Sequence, residues 1–113
     1  MIFQNEKLGA QYAVLESEYF EETPEEFLKY LTTEVEGIEY AESTSIGDYN
    51  VIYIETVVDG TKQIEAYVYY EAEEVEGVKL YPVDTIVMSK LDNSDPTVLK
   101  DELLSVVESY LAK

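Results

Sequence analysis

Residues 49–72 read YNVIYIETVVDGTKQIEAYVYYEA, and this stretch decides the fold. Two runs rich in Val, Ile and Tyr flank Asp59-Gly60, a pair suited to a two-residue turn because glycine takes positive φ without steric cost and aspartate tolerates it. The pattern predicts a hairpin, with one strand over Tyr49–Val58 and a returning strand over Thr61–Ala72. A two-residue loop sets the register, placing Tyr49 opposite Tyr70, Val51 opposite Val68, Tyr53 opposite Ala66 and Val57 opposite Lys62 on one apolar face. The other face pairs Asn50 with Tyr69, Ile52 with Tyr67, Ile54 with Glu65 and Thr56 with Gln63, a mixed surface expected to stay partly in water. Both faces of 49–58 carry large side chains, so that run is expected to lie centrally in its sheet.

Ile38–Ile46 reads as the strand before this hairpin, joined to it by a turn at Gly47-Asp48. Further upstream, Thr23-Pro24-Glu25-Glu26 is a helix start: threonine as N-cap, proline at the first helical position, and Glu26 placed to close a capping box. Phe27, Leu28, Leu31 and Val35 form the apolar face of that helix, and Gly37 is expected to stop it. The segment Leu8–Phe20 supports two readings. Leu8, Tyr12, Leu15 and Tyr19 fit a helical stripe, whereas Tyr12 and Val14 against Ala13 and Leu15 fit a short buried strand.

Downstream, Glu73-Glu74-Val75-Glu76-Gly77 turns the chain into a strand over Val78–Tyr81. Pro82 is expected to interrupt it and to mark a sheet edge, with Val83–Lys90 continuing separately or after a bulge. Asp92-Asn93-Ser94-Asp95-Pro96 caps a last helix, whose buried face is Leu99, Leu103, Val106, Val107 and Tyr110. The whole predicts a single α+β domain over residues 1–113. An antiparallel sheet of four or five strands is packed by a helix in the N-terminal half and a C-terminal helix, as one helical layer on one sheet. Glu34-Val35-Glu36-Gly37-Ile38 echoes Glu74-Val75-Glu76-Gly77-Val78, but the flanking patterns differ and do not support a repeat.

Charge is the next strong signal: 25 acidic residues face 7 basic ones, all lysine, for a formal net charge of -18. Histidine, cysteine, tryptophan and arginine are absent. The usual proton shuttle near neutral pH, thiolate nucleophiles, disulfides and soft-metal ligands are therefore missing, and the expectation is a binding protein, not an enzyme, with no cofactor and no metal. There is no glycine-rich phosphate loop, and no arginine to meet a phosphate. Met1–Gln11 lacks the basic and apolar regions of a signal peptide, and no run of 18 apolar residues occurs, so the chain as given reads as cytoplasmic. Phosphate polyanions and anionic lipid surfaces are repelled by such a charge, so neither nucleic acid nor a membrane is expected as a direct partner. The expected partner is a basic protein surface.

Paired carboxylates at Glu25-Glu26 and Glu73-Glu74 invite an acid–base reading, but that chemistry needs one carboxyl held in an apolar pocket, and acids in a first helical turn already serve its dipole. Asp92, Asn93 and Asp95 could offer oxygen ligands to calcium, yet the spacing lacks the loop pattern and its terminal glutamate, and helix capping accounts for them. More telling are three dense acidic clusters: Glu16, Glu18, Glu21, Glu22, Glu25 and Glu26 around the first helix start, Glu34, Glu36 and Glu39 at its end, and Glu71, Glu73, Glu74 and Glu76 around one turn. Such crowding costs folding energy through self-repulsion. Eleven tyrosines against three phenylalanines form a skewed aromatic set, and tyrosine favours contact surfaces. Tyr67 and Tyr69, on the face expected to be wet, are contact candidates, whereas Tyr49, Tyr53 and Tyr70 fall on the core face. The candidate partner-binding set is Glu21, Glu22, Glu25, Glu34, Glu36, Glu65, Tyr67, Tyr69, Glu71, Glu73, Glu74 and Glu76. Same-face carboxylates sit about 6.7 Å apart along a strand and about 5 to 6 Å apart along a helix, a spacing on the scale of a phosphate ladder.

A short acidic chain with the tyrosine- and glutamate-rich run Glu65-Ala66-Tyr67-Val68-Tyr69-Tyr70-Glu71 resembles the small phage-encoded anti-defence proteins, including anti-CRISPR proteins that mimic nucleic acid. The resemblance is one of class and composition, and it implies an inhibitor that blocks the basic DNA- or RNA-binding groove of a defence nuclease such as a CRISPR effector. A second likeness is to the α+β fold of photosystem oxygen-evolving accessory proteins and their bacterial relatives: an early helix, an antiparallel sheet and a C-terminal helix ending in Val106-Val107-Glu108-Ser109-Tyr110-Leu111. The early extended segment and the tryptophan usual in that family are not matched. That likeness implies a ligand- or protein-binding module of a bacterial accessory protein, extracytoplasmic in some settings.

Overall fold

Asp59 and Gly60 both take positive φ, 51° and 79°, and close the hairpin as a tight turn whose twist matches that of the strands it joins. The coordinates are a computed structural model that describes residues 2–5, 9–90, 92 and 95–112. The hairpin strands are β4 (Tyr49–Val58) and β5 (Thr61–Tyr69), and the register is the one the turn dictates: Val51 opposite Val68, Ile52 opposite Tyr67, Tyr53 opposite Ala66 and Val57 opposite Lys62. The returning strand ends at Tyr69 and not at Ala72, but Tyr49 and Tyr70 still meet edge to face, with ring centroids 5.5 Å apart.

Among the described residues seven strands, all paired antiparallel, form the sheet. The other five are β1 (Ile2–Asn5), β2 (Ala10–Phe20), β3 (Ile38–Ile46), β6 (Glu73–Val75) and β7 (Val78–Lys90). The order is β1-β2-β7-β5-β4-β3, and β6 pairs with the start of β7. The antiparallel α+β architecture with one helix in each half of the chain is thus the one expected. Of the additional strands, β2 comes from the segment of ambiguous periodicity, β1 from residues with no assigned element, and β6 from Glu73–Val75, expected as turn but paired back onto the start of β7. Residues 10–20 are a strand whose Tyr12 and Val14 turn to the core, and Leu8 of the helical alternative lies outside the described residues. A bulge between Leu15 and Glu18 shifts the alternation of β2, so that Phe20 points to the face opposite Tyr12 and Val14.

Each face of the sheet carries one helix. Helix α2 (Lys100–Leu111), entered through a 3-10 turn at Pro96–Leu99, buries Leu99, Leu103 and Val107 on Val51, Ile64, Ala66, Val68, Ile86 and Met88. Helix α1 (Pro24–Thr33) sets Phe27 and Leu31 on Ile52, Ile54, Tyr69 and Val83. Successive residues of β4 therefore feed different cores, and each fully buried aliphatic side chain contributes about 1.5 to 3 kcal/mol. This corrects the expectation of a single helical layer. The mixed face at Ile52, Ile54, Tyr67 and Tyr69 is not wet, because its apolar residues are numerous enough to seat α1.

Pro82 neither interrupts β7 nor marks an edge: β7 runs unbroken from Val78 to Lys90 between β2 and β5. The Pro82 carbonyl accepts from Tyr70 N at 3.0 Å, on the side where β5 gives way to β6. N–H and C=O of an extended residue share a side, so the donor that proline lacks falls at this break in the neighbouring strand.

Gly37 is also recast. Helix α1 stops at Thr33, with Glu34 N donating to Tyr30 O at 2.8 Å. Three residues beyond that cap, the Gly37 carbonyl accepts from Val57 N at 2.9 Å and from Thr56 Oγ1 at 3.0 Å, stitching the end of α1 to β4. Its φ is +86°, and an added Cβ would lie 2.9 Å from the Val57 carbonyl oxygen. Gly37→Ala is therefore expected to destabilise the fold by about 1 to 3 kcal/mol, read as a shift of the urea midpoint without a change in slope.

The C-terminal cap is met by Asp95, whose Oδ1 accepts from Thr97 N at 3.0 Å and starts the 3-10 turn; Asn93 and Ser94 lie outside the described residues. Among the described residues no helix is long and apolar enough to cross a membrane.

Candidate functional site

Three connections converge on one end of the sheet, here called the upper end: the passage from β2 into α1, the β3–β4 turn at Gly47-Asp48, and the stretch from Tyr70 through the β6–β7 hairpin. Antiparallel pairing forces this. Phe20 is registered with Tyr81, Asn50 with Tyr69, and Glu73 with Leu80, so the residues just beyond each strand end lie side by side. Glu21, Glu22, Glu25, Glu71, Glu73, Glu74 and Glu76 are all exposed there, with Asp48 beside them.

Local structure at α1 is set by the capping box. Thr23 Oγ1 accepts from Glu26 N at 3.2 Å, and Glu26 Oε1 accepts from Thr23 N at 3.0 Å. The Thr23 backbone N–H, followed by its side chain, holds the Glu26 carboxyl below the ordinary carboxylate range. Glu26 is thus occupied as a cap, while Glu25 is free to face outward.

Between these segments lies a cleft of about 620 Å³. Three carboxylates, Glu25, Asp48 and Glu71, and four tyrosines, Tyr49, Tyr69, Tyr70 and Tyr81, are on its walls, together with Thr23, Pro24, Asn50 and Ala72. Tyr69 and Tyr81 pack with centroids 5.7 Å apart. Tyr69 is 3% exposed, and its hydroxyl is buried without a hydrogen-bond partner among the described residues. Burial, reinforced by the negative field of Glu22, Glu25 and Glu26 and by Tyr81, pushes that hydroxyl well above the ordinary phenol range, so it stays protonated.

The candidate residues thus divide. Seven glutamates of the predicted set gather at the upper end, while Glu34 and Glu36 stand at the opposite end beside Gly37. Tyr67 and Tyr69 are corrected as surface contacts. Both rings lie in the α1 core against Phe27, at centroid distances of 4.9 Å and 6.2 Å, because the face they occupy is covered. The large exposed tyrosines are instead Tyr19, Tyr30 and Tyr40.

Glu65 is no surface acid either. It is half-buried and accepts from the Tyr67 hydroxyl at 3.1 Å. Burial pushes its carboxyl above the ordinary range, against the lowering effect of that hydrogen bond. Native Glu65 therefore holds its proton more tightly than unfolded Glu65, and stability falls as pH rises from about 4.5 through the native value. Glu65→Gln keeps an acceptor for Tyr67 and is expected to raise the melting temperature at pH 7. Below pH 4 the gain should disappear, which thermal scans across pH will read.

Sequence reasoning missed Asp48, Tyr49, Tyr70 and Tyr81 as lining residues, since they meet only through strand register and chain reversal. It also missed a readable signal, tyrosine and glutamate two apart on a strand. Tyr40 donates to Glu42 at 3.1 Å and Tyr53 to Glu55 at 2.8 Å, as Tyr67 does to Glu65, because residues two apart share a face. Lys100 adds a related arrangement. Its ammonium sits 4.8 Å from the Tyr53 ring centre and 5.7 Å from that of Tyr40, and pairs with Glu42.

No protein-family model, no curated protein and no solved structure matches this chain.

Proposed function

We propose that this chain is a non-catalytic acidic binding protein whose upper end occupies the basic groove of a nucleic-acid-binding protein, standing in for nucleic acid and blocking it. A defence nuclease such as a CRISPR effector fits the class of partner. One observation carries the reading: glutamates from chain segments far apart in sequence, Glu21, Glu22 and Glu25 on one side and Glu71, Glu73, Glu74 and Glu76 on the other, are exposed at the same end of the sheet. Self-repulsion of this kind opposes folding, and a basic groove would relieve it. The ion pairs among the described residues lie elsewhere, Lys62 with Glu39 and Asp95, and Lys100 with Glu42.

Binding of this kind is steered by charge and weakens steeply with salt. The test is affinity capture with the immobilised protein at low salt, followed by a competition assay on whatever basic protein is retained. Displacement of DNA or RNA from that protein, relieved by raised salt, supports mimicry. A captured partner that still binds its nucleic acid fully in the complex refutes it.

A further inference from the structure

We infer that the upper cleft is a binding site for a primary ammonium group on an alkyl chain, supplied either by a free polyamine or by a lysine side chain of a partner. Its walls combine Glu25, Asp48 and Glu71 with the rings of Tyr49, Tyr69 and Tyr81, and no lysine is among the described residues that line it. An ammonium is attracted both by carboxylates and by the faces of aromatic rings. The protein already uses this combination once, around Lys100, with two tyrosine rings and the Glu42 carboxylate. Lys79 stands 5.4 Å over the Tyr81 ring and does not itself line the cleft.

The second observation is Tyr69. A buried hydroxyl with no partner costs about 1 to 3 kcal/mol and is uncommon in a native interior. Its ring lines the cleft, on which Glu25 also borders. The hydroxyl has almost no solvent contact, so the cleft wall must open slightly for a bound ammonium to donate to its oxygen and for Glu25, drawn inward by the same cation, to accept its proton; one ligand then satisfies the group. At about 620 Å³ the cleft admits an alkyl chain as well as its charged head. Where the ammonium is a partner's lysine, the inference rests on the docking reading above; for a free polyamine it stands alone.

Calorimetric titration of the intact protein with spermidine, with a lysine-containing tripeptide and with magnesium chloride, all at one ionic strength, tests the site. Saturable binding of spermidine or of the peptide at one site per chain is expected, and whichever binds identifies the source. Glu25→Gln or Glu71→Gln should weaken it about tenfold, as loss of a charged hydrogen bond does. Glu73→Gln and Glu76→Gln, which remove the same charge outside the cleft, should change it less than about twofold. Tyr69→Phe should weaken binding while leaving the free protein as stable as before or more so, which separates a lost contact from misfolding. Equal weakening by cleft and hairpin variants, magnesium binding as well as the amines, unchanged affinity in Tyr69→Phe, or no saturable binding by either amine would each overturn the inference. None of these readouts uses the captured macromolecule, so failure here leaves the docking reading standing, and failure of docking leaves a polyamine site standing.

Discussion

Asp84→Ala is expected to destabilise the protein by about 2 to 4 kcal/mol, a large part of the stability of a domain this size. Asp84, 8% exposed on β7, accepts on one carboxylate oxygen from two hydroxyls, Tyr70 at 2.7 Å and Tyr110 at 2.8 Å. Those bonds join the central strand to the chain just past β5 and to the last turn of α2. Burial, followed by the Asp84 hydrogen bond, pushes the Tyr110 hydroxyl up to about 12, and burial with the same carboxylate pushes Tyr70 higher still. Both phenols therefore remain donors across the working pH range. Alanine leaves both without their acceptor, whereas asparagine retains a carbonyl oxygen and should cost about 1 kcal/mol. Urea unfolding of the two variants measures the difference. Hydrogen exchange should also show the end of α2 opening more readily in Asp84→Ala, and equal stability of the two variants would show that the carboxylate does not carry the anchor.

The second large effect concerns binding. Reversing Glu71, Glu73, Glu74 and Glu76 to lysine together is expected to abolish capture of a basic partner at physiological salt while leaving the melting temperature within a few degrees of the parent. The side chains are exposed, and among the described residues none makes a hydrogen bond or ion pair that the fold needs. Like charges packed this closely repel, so their removal should not weaken the hairpin. Electrostatic steering acts mainly through the association rate, so the loss should appear first as slowed association and a flattened salt dependence. Retention of the partner by this variant would move the docking surface away from the hairpin, toward Glu34 and Glu36 at the other end.

The tyrosines acquire a meaning that composition alone does not suggest. With 25 acids and only 7 lysines, the chain has few cations to set against buried or half-buried carboxylates. Phenol hydroxyls take that place at Glu55, Glu65 and Asp84, each of which accepts from a tyrosine, while at Glu42 a tyrosine hydroxyl stands beside the Lys100 ion pair. Tyrosine is neutral, so it donates to a carboxylate without the desolvation cost of burying a second charge. Tyr40, Tyr53, Tyr67, Tyr70 and Tyr110 all serve carboxylates in this way, and Tyr67 serves the interior for this reason.

Local signals were legible wherever the chain itself supplies the constraint. Asp59-Gly60 with its alternating flanks determined the β4–β5 register, Thr23-Pro24-Glu25-Glu26 determined the start of α1, and Leu99, Leu103 and Val107 identified the inner face of the C-terminal turn and helix. Each depends on bonds or periodicities within a dozen residues. Tertiary structure alone decided the rest. Residues 10–20 became a strand because β7 offers an open edge, and Pro82 became tolerable in a central strand because its missing donor meets the break after β5. The second face of the sheet became a core because α1 folds back onto it. The cleft has the same origin: Glu25, Asp48 and Glu71 lie far apart in the chain, and antiparallel pairing brings their strand ends together. The hairpin was written in the sequence because a two-residue turn leaves one register, whereas the site needed every strand in place before its carboxylates and rings could face one another.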